Sequence, residues 1–223
     1  MVTGGAGAIG GAIVAALAAA GHTVLSLDQA GDPPVDLAQA DQVRAAAADV
    51  LRQHGRCDIL VHAAACFDRA DLAAVDLAGW RRVQAVNVEA ALLLAQAFAP
   101  GMAARGFGRI IFVASNTVWA PPAGDMLAYV TSKGALVAMA RTLAVGCGGD
   151  GIAVTCVAPG LTDTPATRGA EPASHFDEVR SRQALPRTLL PGDVAPTVAF
   201  LASDGAASLT GQTVGVDGGL VLR

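Results

Sequence analysis

Apolar and polar positions alternate along the chain in two different periods. Short apolar runs, rich in β-branched residues and bounded by Gly, Asp or Pro, occupy 22–27, 57–65, 108–115 and 151–159. Unbroken apolar runs of this length are typical of parallel strands that are buried on both faces. Helical spacing fills the segments between them, most clearly over 40–55, 80–106 and 126–144. The alternation of strand and helix predicts an α/β fold with a doubly wound parallel sheet.

Residues that end helices, and two further elements near the C-terminus, complete this pattern. Gly21, Gly55 and Gly146 follow helical stretches and indicate where those helices end. Near the C-terminus, 193–203 has the pattern of a helix, and 211–219 that of a last strand with a glycine turn.

Length and hydropathy predict one domain that needs no membrane. The chain has 223 residues and a mass of 22.2 kDa, which suits a single α/β domain over 1–223. Mean hydropathy is +0.48 with only 4% aromatic residues, so alanine-rich helices should lie close against the sheet. The longest apolar stretches fall short of the roughly 18 residues of a membrane span. A secretory signal has basic residues before its apolar run, and no Lys or Arg precedes the first apolar run here. We therefore expect a cytoplasmic protein.

Charge and cysteine usage exclude two further classes. The net charge is −4 with a pI near 5.4, and the basic residues form no cluster, which disfavours a nucleic-acid partner. Cys57, Cys66, Cys147 and Cys156 have neither CxxC spacing nor paired histidines nearby. Reduced thiols and no metal site are the expectation.

A glycine-rich turn follows directly after the first three residues. Gly4, Gly5, Gly7 and Gly10 stand between a short apolar stub and the start of a helix. Such glycines let the backbone approach a pyrophosphate at a helix N-terminus, although an ordinary strand–helix turn has the same composition. Asp28 favours a dinucleotide, because it ends the second strand and can accept hydrogen bonds from ribose hydroxyls. Its charge would repel a 2′-phosphate, so the sequence favours NAD over NADP.

Tyr129 and Lys133 form the strongest candidate for chemistry. They lie four residues apart on a predicted helix and therefore share one face. The ammonium would lower the pKa of the phenol and make it a general acid or base near neutral pH. A surface tyrosine beside an unrelated lysine has the same spacing, but these are the chain's single tyrosine and single lysine. Ser115 ends an apolar run, at the sheet edge where ligands of open α/β folds bind.

Together these motifs resemble the short-chain dehydrogenase/reductase family over essentially the whole chain. The landmarks follow that family's order: TGGAGAIG (3–10), Asp28, VDL (35–37), DILVHAAA (58–65), Asn87, Ser115, YVTSK (129–133), APGLTDTP (158–165), FLASD (200–204) and LTGQTVGVDGG (209–219). The resemblance implies a Rossmann-like fold and an oxidoreductase that passes hydride between a nicotinamide and a carbon bearing a hydroxyl or carbonyl.

The resemblance also implies a role for each matching residue. Tyr129 would move the proton of the substrate oxygen, and Lys133 would assist it and bind the nicotinamide ribose. Ser115 would hold the substrate oxygen, and Asn87 would position a water beside Lys133. The implied cofactor-binding residues are Gly4, Gly7, Ile9, Gly10, Asp28, Asp36, Leu37, His62, Ala63, Tyr129, Lys133, Pro159, Gly160, Thr162 and Thr164, with Asp36 and Leu37 at the adenine and Thr164 near the carboxamide.

Three places depart from the family pattern. Ala8 stands where the turn usually has its second glycine, and its methyl group could tighten the pyrophosphate site. His62 begins HAAA where the family has Asn-Asn-Ala-Gly, and we interpret it as a strand-end residue bonded to nearby backbone. Counting back from the catalytic helix points to Asn116 as the active serine position, whereas the strand points to Ser115. We follow the strand and keep Thr117 as the fallback hydroxyl.

The first strand is short for this family. Members carry several residues before the Thr-Gly pair, whereas this chain offers at most Met1–Thr3. The neighbouring strands would lose ladder partners, and each buried unpaired backbone group costs about 1–3 kcal/mol. We therefore expect a truncated first strand and a natural start several residues upstream.

The segment after the last motif predicts a lid. Residues 161–192 are broken by Pro and Gly and would cover the substrate. Trp119, Pro121, Pro122 and Met126 indicate an apolar pocket wall, although a well-packed loop has the same composition.

These features together predict oxidation of a small apolar or aromatic alcohol, or the reverse reduction of a ketone, with NAD. A 3-oxoacyl reductase using NADPH, a non-catalytic dinucleotide-binding scaffold and a nucleotide-sugar epimerase are the alternatives. The family resemblance further implies a homotetramer or homodimer built on the helices around 80–104 and after Tyr129.

Overall fold

Six parallel strands form one sheet in the order β2–β1–β3–β4–β5–β6 in the computed structural model, which describes residues 1–222. The strands are β1 (Val2–Thr3), β2 (Ser26–Leu27), β3 (Ile59–His62), β4 (Gly108–Val113), β5 (Ile152–Pro159) and β6 (Thr213–Val216). The predicted doubly wound parallel α/β fold is confirmed. Because the strand order reverses between β1 and β3, the carboxyl edge there is the switch point where ligands of such sheets bind.

Helices cover both faces of this sheet. They are α1 (Ala8–Ala19), α2 (Ala40–His54), α3 (Leu77–Gln84), α4 (Ala90–Arg105), α5 (Leu127–Cys147), α6 (Pro165–Ala170), α7 (Ala173–Arg182) and α8 (Pro191–Ala202). Side chains of β4 alternate between the faces: Ile110 and Phe112 join the core under α2, α4 and α5, while Ile111 and Val113 join the core under α1 and α8. The unbroken apolar run of the strand follows from burial on both sides.

The two-residue strand β1 is paired on both sides. The Val2 amide donates to the Leu25 carbonyl at 2.8 Å, and the Val61 amide donates to the Met1 carbonyl at 2.9 Å. Val2 and Thr3 have no exposed surface. The first strand is as short as expected, and β2 is shorter than the predicted 22–27, because a strand extends only as far as it has a partner.

Three other boundaries differ from the expectation. Gly146 lies inside α5, so its assignment as a helix stop was wrong. The helix predicted over 80–106 contains a π-helical turn at Ala85–Glu89. The predicted lid is not continuous coil, because it carries the two short helices α6 and α7.

One helical stretch passes the length and composition test for a membrane span, which the apolar runs had not predicted. It is Leu77–Arg105, and 44% of its most apolar window is buried inside the fold. Core helices pass the same test, and α4 supplies Leu94 and Phe98 to the core.

Gly10 tests how tightly the glycine turn is built. A Cβ added at Gly10 would lie 2.0 Å from the Gly4 carbonyl oxygen, so the turn or the helix must shift. We expect Gly10→Ala to lower the free energy of unfolding in urea by about 1–3 kcal/mol or more.

Gly146→Ala is the matched control. It places the same methyl group inside α5 with nothing within 4 Å. It should raise the free energy of unfolding by up to about 1 kcal/mol, because alanine has the higher helix propensity. Equal stabilities for the two variants would contradict the geometry of the turn.

Candidate active site

The glycine turn leaves the N-terminus of α1 open to a ligand. The turn is possible because Gly4 adopts a φ of +71°, where an added Cβ would also lie 2.7 Å from the Cα of Ala64. Gly7 is the N-cap residue of α1, with no side-chain cap and no acidic residue in the first turn. Ala6, Gly7 and Ala8 are exposed. Uncapped N–H groups at a helix N-terminus fit a phosphate anion, so the residues present suit the pyrophosphate of a dinucleotide.

Asp28 is fixed directly beside this turn. One carboxylate oxygen accepts a hydrogen bond from the Ala6 amide at 3.0 Å, and the other accepts from the Ala30 amide at 3.0 Å. The side chain is thereby held at the end of β2, next to the glycine turn. This is the position from which a carboxylate can contact an adenosine ribose.

The two residues predicted at the adenine differ in environment. The Asp36 carboxylate accepts from the Gln29 side chain at 2.9 Å and from the Ala38 amide at 3.0 Å. Leu37 is only 6% exposed and packs in the core. Its side chain therefore stabilises the fold beside the predicted adenine site.

Three elements bring the predicted catalytic residues together. Lys133 is buried on α5 one turn beyond Tyr129, with its Nζ 5.5 Å from the centre of the Tyr129 ring. Ser115 follows β4 and hydrogen-bonds the Tyr129 hydroxyl. Asn116 instead donates to Asp217 at 3.3 Å, and Thr117 donates its hydroxyl to Ser115 at 2.9 Å. Of these three residues, Ser115 is the one that interacts with Tyr129, and its role as the catalytic serine stays a prediction.

Burial dominates the pKa values at this site. It raises the pKa of Tyr129 above its usual value of 10, and the hydrogen bond from Ser115 acts in the opposite direction. The net lowering expected from Lys133 is therefore not what the structure shows, because burial outweighs the other effects on the phenol. The lysine Nζ donates to the Val113 carbonyl at 2.8 Å. Burial also lowers the pKa of Lys133 to about 8.

Asn87 ties the π-helical turn to its surroundings. Its amide nitrogen donates to the Cys66 carbonyl and to the Ser132 hydroxyl, both at 2.9 Å, and its amide oxygen accepts from the Cys66 amide at 2.6 Å. Ser132 in turn donates to the Tyr129 carbonyl at 2.6 Å. The side chain therefore joins the loop after β3 to the catalytic helix, and its water-positioning role stays a prediction.

His62 is fully buried and its tautomer follows from its neighbours. The Thr3 hydroxyl oxygen accepts from the Ala63 and Ala64 amides at 3.2 Å each and lies 3.0 Å from Nδ1 of His62. With its lone pairs occupied, the hydroxyl donates its single proton to Nδ1, which places the imidazole proton on Nε2.

The other side of the His62 ring faces the π-helical turn. The Val86 and Asn87 carbonyls lie near the ring, yet Nε2 makes no hydrogen bond of normal geometry within the described residues. Burial, reinforced by the charge of Lys133, lowers the pKa of His62 to about 3. His62 does end β3, but the expected hydrogen bond to backbone is replaced by one to the Thr3 side chain.

The segment after β5 is built tightly at the same edge. An added Cβ at Gly160 would lie 2.9 Å from that of Asp217, and the Thr162 hydroxyl donates to the Gly160 carbonyl at 3.0 Å. The Thr164 hydroxyl caps α6 by accepting from the Thr167 amide at 3.1 Å. If Thr164 contacts the nicotinamide carboxamide as predicted, its hydroxyl must bind the carboxamide while it also caps α6.

The predicted apolar pocket wall is not assembled as a unit. Trp119 lines a groove with Arg141, Val145 and Gln212, away from the catalytic tyrosine. The aromatic neighbour of Tyr129 is Phe67, whose ring meets it edge-on at 4.9 Å.

Sequence reasoning missed Phe67 and the ion pairs beside it. Arg69 pairs with Asp125 and Glu171 and lies over the Phe67 ring. These residues carry no motif, because three separate loops bring them together. Among residues 1–222, no group of three or more His, Cys, Asp or Glu side chains is placed to hold a metal ion.

Comparison with known proteins identifies the family. A family model described as enoyl-(acyl carrier protein) reductase matches residues 4–221. The chain belongs to the short-chain dehydrogenase/reductase family. It is accordingly an NAD(P)-dependent oxidoreductase that acts on CH–OH groups of a small-molecule substrate.

Individual members of the family align over nearly the full chain. D-xylose 1-dehydrogenase of Caulobacter vibrioides is 34% identical, covering 98% of this chain and 94% of its own. D-threitol dehydrogenase of Mycolicibacterium smegmatis is 31% identical, covering 100% and 92%. The structure of a blue fluorescent protein from a metagenomic library, in complex with NADPH, has a TM-score of 0.92 at 31% identity and covers 99% and 96%.

The buried His62 predicts an acid-sensitive fold. The unfolded chain takes up a proton near pH 6.5, whereas the folded chain resists it down to about pH 3. Stability is therefore lost as pH falls between these values, by about 1.4 kcal/mol per pH unit for this one proton. Lys133 adds little slope there, because well below its pKa of about 8 it is protonated in both the folded and the unfolded chain.

The His62→Asn variant isolates this proton. Urea unfolding of the native chain and the variant should be compared at several pH values between 4 and 7.5. Below pH 6.5, the free energy of unfolding of the variant should depend less steeply on pH, by the contribution of one proton. The contributions of all other groups should be unchanged. Identical slopes would show that His62 titrates normally and is not buried as described.

Proposed function

We propose that the protein is an NAD(H)-dependent dehydrogenase that oxidises a secondary alcohol to the corresponding ketone. The observation that carries this proposal is the grouping of Ser115, Tyr129 and Lys133 at the same carboxyl edge of the sheet as the uncapped N-terminus of α1. A scaffold that only bound a dinucleotide would need none of these three side chains.

Each of the three side chains has a task that its surroundings support. Ser115 holds the alcohol oxygen, and Tyr129 takes the hydroxyl proton onto its own oxygen. Burial raises the pKa of Tyr129, and the positive charge of Lys133, 5.5 Å from the centre of the ring, offsets part of that penalty when the phenolate forms for this transfer. The bound nicotinamide supplies the acceptor for hydride, and the chain supplies position and proton transfer.

NAD is the proposed cofactor because of Asp28. Its carboxylate is held at the end of β2 by two backbone amides, so it cannot easily turn away from a 2′-phosphate. A similar structure was solved with NADPH, which makes this choice the point to test first.

The proposed substrate is a secondary alcohol within a polyhydroxylated molecule. Relatives named for D-xylose and D-threitol support this class, as do the charged side chains Arg69, Asp125 and Glu171 near Tyr129. The edge-on packing of Phe67 on Tyr129 favours a second candidate, a small apolar or aromatic alcohol.

The remaining proposals concern organisation. We expect one domain over 1–223, with the segment 161–192 as a lid, in a cytoplasmic homo-oligomer. Half-exposed Leu92 and Leu127 and the 88% exposed Val145 on α4 and α5 support burial against a second copy.

The deciding experiment measures NADH production at 340 nm with a panel of aldoses, polyols and aryl alcohols. Tyr129→Phe should lower kcat by about 100- to 10,000-fold, since it removes only the proton acceptor. NADH binding, followed by fluorescence, should change less than threefold (roughly 0.6 kcal/mol).

Two serine variants complete that experiment. Ser115→Ala should lower kcat, whereas Ser203→Ala should leave it unchanged, because Ser203 bonds only the end of α8. NADH binding without turnover of any alcohol would overturn the proposal in favour of a scaffold, and turnover of a 3-oxoacyl ester with NADPH alone would favour a reductase.

Asp28→Asn tests cofactor choice. Removing the charge should shift the NADPH-to-NADH affinity ratio by about 10-fold toward NADPH, equivalent to roughly 1.4 kcal/mol of relieved repulsion. Asp41→Asn removes a fully exposed charge from the first turn of α2 and should leave the ratio unchanged. An unchanged ratio in Asp28→Asn would show that other groups select the cofactor.

A further inference from the structure

Three segments around the catalytic tyrosine meet at a single guanidinium. Arg69 lies in the loop between β3 and α3. It hydrogen-bonds Asp125, in the turn that enters α5, at 3.2 Å, and it also hydrogen-bonds Glu171, which follows α6 in the lid. The Ala70 amide donates to the Asp125 carbonyl at 2.9 Å, so the loop after β3 and the turn before α5 are joined by a backbone hydrogen bond as well as by the Arg69 side chain.

The surroundings make these ion pairs stronger than ordinary surface contacts. The side chains of Arg69, Asp125 and Glu171 are 34%, 28% and 17% exposed. The second oxygen of Asp125 is buried and has no hydrogen-bond partner within the described residues. Two carboxylates therefore share one cation, and removing that cation would leave a partly buried, repelling pair.

The junction reaches Tyr129 through an aromatic contact. The Arg69 guanidinium lies 5.5 Å from the centre of the Phe67 ring, and that ring meets Tyr129 edge-on at 4.9 Å. Asp125 also lies only two residues before α5, whose first turn carries Tyr129. Movement of Arg69 would thus release the lid and the ring neighbour of the catalytic tyrosine together.

We propose that Arg69 is a positioning residue for substrate binding: it holds the lid segment at Glu171 against the entry to α5 and holds Phe67 on the ring of Tyr129. It acts through these neighbours and does not itself take part in proton or hydride transfer. The kinetic part of this proposal rests on the proposed dehydrogenase function.

The matched variants are Arg69→Gln and Arg168→Gln. Arg168 is also paired with an aspartate and also lies over a phenylalanine ring, but its partners Asp163 and Phe176 belong to the lid itself. Arg69→Gln should raise KM for the alcohol about 10-fold, with kcat changed less than threefold and the Kd of NADH unchanged. Arg168→Gln should change KM less than twofold.

Glu171→Gln provides a second route that leaves the cation in place. It removes only the lid's share of the junction, so it should raise KM in the same direction by a smaller factor. An equal loss of kcat and NADH affinity in Arg69→Gln would indicate general damage to the fold and overturn the proposal. An unchanged KM in both variants would overturn it as well.

Limited trypsin digestion separates this proposal from the enzymatic one. The lid carries exposed cleavage sites at Arg180 and Arg182, identifiable by fragment mass. Arg69→Gln should be cut there about 10-fold faster than the native chain, and Arg168→Gln at the native rate. If no alcohol is turned over, the proposed function fails, and this measurement still decides whether Arg69 holds the lid.

Discussion

Insertion of the chain's first residues between β2 and β3 is the constraint on which the site depends. Val2 and Thr3 pair with β2 on one side and β3 on the other, in the middle of the sheet. Thr3 then uses its hydroxyl three times, accepting from two amides after β3 and donating to His62. One side chain thereby joins the start of the glycine turn to the strand end that faces the catalytic helix. This contact fixes the glycine turn, where we propose that the pyrophosphate binds, relative to the end of β3.

Desolvation is the second force that shapes the molecule, and it acts on His62, Tyr129 and Lys133. It keeps His62 neutral, weakens the basicity of Lys133 and disfavours the phenolate of Tyr129. A neutral His62 matters because a second cation beside Lys133 would compete for the same low-polarity region. The site thus contains one cation beside one phenol, and the hydrogen bond from Ser115 works against the penalty of burying the phenolate.

Sequence patterns were sufficient for those parts of the structure that repeat or stand close along the chain. Unbroken runs of β-branched residues predict buried parallel strands. The spacing of Tyr129 and Lys133 predicts that they share one face of a helix. The π-helical turn around Asn87 escaped prediction, because one extra residue in a helix hardly alters the apolar period. The pKa direction of Tyr129 was wrong for a different reason. Spacing placed Lys133 on the same helix face as Tyr129, but only the fold shows how deeply the phenol is buried, and burial raises its pKa.

The contacts that sequence could not reveal are those between loops, and they surround the substrate side of the site. Cofactor contacts are made by short turns at strand ends, where residue type and position along the chain largely determine geometry. Arg69, Asp125 and Glu171 come from three loops separated by 46 to 102 residues, and nothing in their local sequence favours the junction. Loops on a rigid sheet edge can change partners without disturbing the strands beneath them. The same physical division explains why the reaction class follows from motifs, whereas the substrate must be sought in the loops around Phe67 and Arg69.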